Sequence, residues 1–253
     1  MAITNRELLQ HLSALLQVQK IKDYCPNGLQ VEGRKTIESI ITGVTASQAL
    51  IDVAVEKQAD AIVVHHGYFW KGEDPCIKGM KKQRLAALLA NDINLFAFHL
   101  PLDVHPNLGN NAQLASLLDI VETTGLEVDN PFSVAMQGYF NQPLTHRELV
   151  ERLQSSLDTN VLSEGRPEDV INSVAWCTGG GQGYIDLAAE QGIDAFISGE
   201  VSEQTIHTAR EMNVHFFAAG HHATERYGVK ALGEHLANHF TLDVEFVDIP
   251  NPA

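Results

Sequence analysis

Ala61-Ile62-Val63-Val64-His65-His66-Gly67-Tyr68-Phe69-Trp70 is the stretch on which the reading of this chain turns. Its apolar, β-branched opening reads as a buried strand, and the strand runs directly into two adjacent histidines. Working outward, Ile37–Val44 reads as a second buried strand, and 46–57 as a helix with Ala49, Leu50, Val53 and Ala54 at helical spacing. Helix 80–91, strand Leu95–Phe98 and helix Asn110–Leu118 follow. Residues 4–17 start with Thr4 and Glu7 in capping-box spacing and carry Leu8, Leu9, Leu12, Leu15 and Leu16 on one face. A loop, Tyr24-Cys-Pro-Asn-Gly-Leu-Gln, comes next. Short apolar runs alternating with helices of this length predict βαβ units and a mostly parallel sheet.

From Gly125 to Thr145 the pattern loosens, with Pro131, Gly138 and Pro143 spread through it, and we read this as the passage to a second lobe. Beyond it come helix 145–155, strand Ser173–Cys177, helix 182–190, strand Asp194–Ile197, helix 202–211 and strand Val214–Ala218. A long helix over 223–238 precedes a last strand, Leu242–Asp248. The expectation is an α/β protein of two lobes, 1–125 and 126–253, with a return of the C-terminal segment to the first lobe left open. Both lobes repeat an apolar strand, a polar or Gly-rich tip and a helix, as a duplicated unit would.

Composition narrows the function. The 253 residues include 17 Lys+Arg against 32 Asp+Glu, a net charge of −15, which lacks the basic footprint of a nucleic-acid or anionic-membrane binder. With 44% hydrophobic and 19% charged residues the chain is globular in composition. No apolar run approaches the roughly 20 residues of a membrane helix, and Met-Ala-Ile-Thr-Asn-Arg-Glu does not open a signal peptide. Cys25, Cys76 and Cys177 are scattered and form no CxxC pair, so they read as reduced thiols of a cytoplasmic protein.

Histidine is the anomaly, because six of the twelve fall in three strand-end segments: His65-His66, His99-Leu-Pro-Leu-Asp103-Val-His105, and Gly-His221-His222-Ala-Thr-Glu225. Ligands of α/β sheets bind outside the carboxyl ends of strands, so these tips can converge. Imidazole and carboxylate without cysteine suit zinc, iron, manganese, cobalt or nickel. His221 and Glu225 share a face if a helix starts there, whereas His65 and His66 diverge on an extended strand and serve two ions more easily than one. A carboxylate bridging two ions would complete a two-metal site. The single-histidine alternative, a hydrogen-bonded structural residue, is kept open for His105 and His222. His11, His146, His207, His215, His235 and His239 stand alone and are read as surface or core residues.

The run Gly179-Gly180-Gly181-Gln182-Gly183 is neither GxGxxG nor a Walker loop, and serves equally as an anion cradle or as a tightly packed turn. Glu200, in Ser-Gly-Glu, is either a lining residue or a helix-dipole partner. No Gly-x-Ser-x-Gly elbow supports a serine triad.

Taken together, Val-His65-His66-Gly-Tyr-Phe-Trp-Lys-Gly-Glu, His99-Leu-Pro-Leu-Asp103, Gly109-Asn-Asn, Thr-Gly-Gly-Gly, Ser-Gly-Glu-Val-Ser-Glu and Gly-His221-His222-Ala-Thr-Glu225-Arg resemble the GTP cyclohydrolase 1 type 2 homolog family, also called NIF-three-like. The likeness extends from Pro-Asn-Gly-Leu-Gln-Val-Glu-Gly to the final Ile-Pro-Asn-Pro-Ala. It implies a two-lobed, three-layer α/β fold with a dinuclear centre between the lobes, in a toroidal homohexamer. Carried across residue by residue, it implies His65, His66, Asp103, His221 and Glu225 as ligands of two divalent cations per chain, with His99 a further ligand or a proton-transfer group. The activity implied is metal-dependent hydrolysis of a small molecule, of GTP cyclohydrolase type. The other reading of the same residues is a non-enzymatic protein that stores, delivers or inserts divalent metal.

Overall fold

A computed structural model describes residues 2–253, which form two compact units. Unit 1 is Met1–Gly109 with Gly228–Ile249, and unit 2 is Asn110–Tyr227 with Pro250–Ala253.

Unit 1 contains β1 (Ile3–Thr4), α1 (Asn5–Leu15), β2 (Gly28–Val31), β3 (Thr36–Ile37), β4 (Ser39–Thr45), α2 (Gln48–Glu56), β5 (Ala61–His66), α3 (Gly79–Ala90), β6 (Asn94–Ala97) and α4 (Leu100–Asp103). In unit 2 the order is α5 (Asn110–Leu117), β7 (Ile120–Gly125), β8 (Met136–Thr145), α6 (His146–Leu157), β9 (Leu162–Glu164) and β10 (Val170–Cys177). It continues with α7 (Ile185–Glu190), β11 (Ala195–Ser198), α8 (Glu203–Met212) and β12 (His215–Ala218). Helix α9 (His221–Phe240) starts in unit 2 and continues in unit 1, whose sheet is completed by β13 (Asp243–Phe246).

The unit 1 sheet has the order β13-β4-β5-β6-β2. All its pairs are parallel except β2 with β6. Side chains alternate along each strand, so the sheet has two apolar faces. Ile40, Val63 and Phe96 pack with Leu8 and Leu12 of α1 and with Leu232 and Leu236 of α9. Ile41, Ile62 and Leu95 pack on the other side with Leu50 and Ile51 of α2 and with Leu85 and Leu88 of α3. Helices therefore cover both faces, which is why the strands read as continuous apolar runs.

Unit 2 repeats the three layers around a mixed sheet, β7-β8-β10-β11-β12-β9, whose parallel centre is β10-β11-β12. Trp176, Ile197 and Phe217 face Leu149 and Leu153 of α6, while Phe196 and Phe216 face Ile185 of α7 and Ala209 of α8.

Three sequence expectations are corrected. The supposed passage between Gly125 and Thr145 holds the ten-residue strand β8, antiparallel to β7 and β10. Its alternation is hidden because the β8–β10 register shifts between Ile171 and Ser173, leaving Pro143 in the irregular stretch where a strand tolerates proline. Residues 28–30, read as the end of a loop, belong to β2. The helix expected over 182–190 is a 3-10 turn at Gln182–Tyr184 followed by α7.

Candidate functional site

In unit 1 the strand-end histidines lie where β5 stops. His65 is fully buried, and its Nδ1 donates to the Phe98 carbonyl at 3.0 Å. That bond fixes the tautomer, leaving the Nε2 lone pair, which lies 3.5 Å from Asp103 Oδ1. Asp103 is delivered by α4, a single turn whose Pro101 falls at its start, where a missing N–H costs nothing. The His66 Nδ1 lies 3.2 Å from the Thr45 hydroxyl. As the last residue of β5, His66 stays close to its neighbour: the two rings are 4.5 Å apart between centroids, closer than the divergence expected for an extended strand.

His99 joins this group. One donor atom from each of His65, His66 and His99 falls within 4.8 Å of the others. The Nδ1 of His99 donates to Asp23 at 3.0 Å, and the Tyr24 and Trp70 rings meet the imidazole edge-on. Asp23 also accepts from the Leu100 N–H at 3.0 Å, and Asn27 accepts from the His99 N–H at 2.7 Å. Burial alone would raise the Asp23 pKa, but hydrogen bonds from His99 and Asn27 outweigh it and bring it down to about 2. Asp23 is thus a carboxylate that orients an imidazole. Sequence reasoning assigned it no role, although it borders the Tyr24–Gln30 loop. Cys25 lies in the same neighbourhood as Asp23 and His99, outside the five residues expected as ligands. Burial, followed by the charges of Asp23 and Asp103, pushes its thiol up to about 12 and keeps it protonated.

In unit 2, α9 begins at His221, so His221 and Glu225 do share its first turn. His221 Nε2 lies 3.1 Å from Glu225 Oε2, and its Nδ1 donates to Glu200 Oε1 at 2.7 Å. Burial would lower the His221 pKa; the hydrogen bond and charge of Glu225, then those of Glu200, raise it to about 9. Glu200 is therefore the orienting partner of His221, more specific than either role first considered. In the Gly-rich run, Gly179 is fixed by packing: with φ +63°, a Cβ here would fall 2.1 Å from Glu225 Oε1, whereas Gly183 has nothing within 4 Å. The Gly179 N–H donates to Thr224 Oγ1 and its carbonyl accepts from Gly199 N–H, so at Gly179 the turn is packed against its neighbours.

The remaining histidines divide clearly. His105 Nδ1 accepts the N–H groups of Asn107 and Leu108, a turn-forming role. His222 donates its backbone N–H to Ala253. His207 is exposed, and His146 pairs with His215 at 2.9 Å. His11, His235 and His239 do not stand alone as expected; α1 and α9 bring them together.

The donor chemistry fits divalent cations. Each unit offers carboxylate oxygen beside an imidazole Nε2 whose Nδ1 is anchored, which is how metal-binding histidines are held. Fold and residues together define a class: paired α/β units with histidine and carboxylate at strand ends, suited to borderline divalent metals. More particularly, residues 3–252 match the family described as Duf34/NIF3 (NGG1p interacting factor 3), and the chain belongs to it. It is 61% identical over 249 residues to the "GTP cyclohydrolase 1 type 2 homolog" of Pasteurella multocida, covering 98% of each chain. Identity to the protein of that name from Haemophilus influenzae is 60% over 253 residues, covering 99% of this chain and 100% of the other. The structure of a "protein ybgI" superposes with TM-score 0.95 at 57% identity, over 99% of this chain and 100% of that one. A Thermus thermophilus protein superposes with TM-score 0.89 at 32% identity, over 99% of this chain and 100% of that one. No helix among the described residues is long and apolar enough to cross a membrane.

Proposed function

We propose that His65, His66, Asp103, His221 and Glu225 hold two divalent cations and that the chain is a metal-dependent hydrolase. The observation that supports this most is the double anchoring of imidazoles, His65 on the Phe98 carbonyl and His221 on Glu200, each beside a buried carboxylate. When bound, two such cations supply Lewis acidity and lower the pKa of water toward neutrality. The protein's own part is to hold the ligands in one tautomer and to move a proton. His99, anchored at Nδ1 by Asp23, takes up and returns that proton at Nε2. The name of the relatives directs the first substrate test to GTP, with hydrolytic release of formate. We further propose a homohexameric ring as the working assembly, acting in the cytoplasm.

Metal-loaded protein incubated with GTP is expected to release formate, and to stop doing so in D103N. A second reading is favoured by the net charge of −15, which attracts cations more readily than a triphosphate. On that reading the protein stores or delivers the metal without turnover. Full metal loading, no formate release and transfer of the ion to an apo-acceptor would select it over the first.

A further inference from the structure

A second cluster of imidazoles shares no residue with the proposed ligand set. His235 and His239 are one turn apart on α9, and His11 reaches them from α1. The Nε2 atoms of His11 and His235 are 3.0 Å apart and share a hydrogen bond, which a cation entering between them would replace. One nitrogen from each of the three lies within 4.8 Å of the others. The rings are stacked, at 12° for His11–His235, 27° for His11–His239 and 16° for His235–His239. Phe240 abuts His11 and His239 edge-on at 4.8 and 4.5 Å, closing one side of the cluster.

Three features point to a cation. Two histidines at i and i+4 on one helix face are a standard bidentate arrangement for zinc and its neighbours. Metal–nitrogen bonds of 2.0–2.1 Å at tetrahedral angles put ligand nitrogens about 3.3 Å apart, close to the His11–His235 separation. At two of the three, the surroundings favour the neutral form a ligand needs: burial, then the neighbouring His239 and His235, lowers the His11 pKa, and burial, then His239, lowers that of His235. His105 is an electrostatic neighbour of His235, but its Nδ1 is committed to two backbone N–H groups.

We propose that His11, His235 and His239 form a three-histidine site for one borderline divalent cation of the zinc, cobalt or nickel class, stapling α1 to α9. Exposed His239 leaves a side for water as fourth ligand. Imidazole-only ligation disfavours magnesium and calcium.

The test is titration of chelator-stripped full-length protein with cobalt(II) at pH 8, read by stoichiometry and by visible absorption. Wild type is expected to bind about one equivalent per chain more than H11Q/H239Q. The D103N/E225Q variant is expected to keep that equivalent with a tetrahedral spectrum, whatever becomes of the strand-end ligands. H239Q alone alters an exposed residue near a helix end, so it serves as the control if the double variant melts early without metal. Equal stoichiometry in wild type and H239Q, or loss of the equivalent in D103N/E225Q but not in H239Q, overturns the proposal.

Discussion

His65 and His221 present the same device in two chemical settings. Each offers Nε2 to a carboxylate and is held by Nδ1, but His65 is held by a backbone carbonyl and His221 by the Glu200 side chain. The backbone anchor adds no net charge, and no side-chain substitution removes it. The carboxylate anchor adds a second negative charge, so the metal-free His221 retains a proton up to about pH 9. One end is therefore prepared by the fold itself, whereas the other is electrostatically tuned and open to mutation.

The largest effect should come from removing a carboxylate that faces an imidazole. D103N and E225Q are each expected to reduce metal affinity beyond the roughly 100-fold typical of changes outside the ligand shell, measured by calorimetric titration. E200Q should cost about 10–100-fold, because it leaves His221 in place but removes its anchoring charge. It should also move the His221 pKa down from about 9, which histidine NMR titration of apo protein would follow. F98L retains the backbone carbonyl that holds His65 and is expected to leave metal affinity unchanged. A loss in F98L as large as in E200Q would break the comparison.

Where the units use an identical device, equal effects are expected. Thr4 with Glu7 and Thr145 with Glu148 are complete capping boxes. T4A and T145A should each cost about 1 kcal/mol in urea unfolding.

The smallest effect at neutral pH concerns His146 and His215, whose Nδ1 atoms are 2.9 Å apart in unit 2. Burial lowers both pKa values, with the neighbouring His215 next for His146. For groups depressed on folding, the unfolded chain binds more protons, so their contribution is present above the ordinary value near 6.5 and is lost as pH falls through the folded value. The sign is opposite for metal-free His221, whose contribution is complete below about 6.5 and fades as pH rises through about 9. Thermal melts at descending pH should show a shallower acid limb in H146Q than in wild type.

Much of this was legible in the chain because strand ends carry the chemistry. Apolar runs located β4, β5, β6, β10, β11 and β12 to within a few residues, since strands buried on both faces need no periodicity to be seen. β8 was obscured by its register shift and Pro143. The i, i+4 spacing exposed the His221–Glu225 pair, but nothing local linked Asp23 to His99, 76 residues away. His11 and His235 are 224 residues apart, and in the sequence all three histidines of that cluster read as standing alone. Contacts made by packing between distant helices leave no periodic trace.

Anomalous diffraction at the metal edge from crystals of reconstituted protein tests the central claim most directly. The account predicts a pair of peaks per chain, about 3.5–4 Å apart, ligated by His65, His66, Asp103, His221 and Glu225, besides the separate peak proposed for His11, His235 and His239. Fully reconstituted crystals with no anomalous density at those five residues would contradict it.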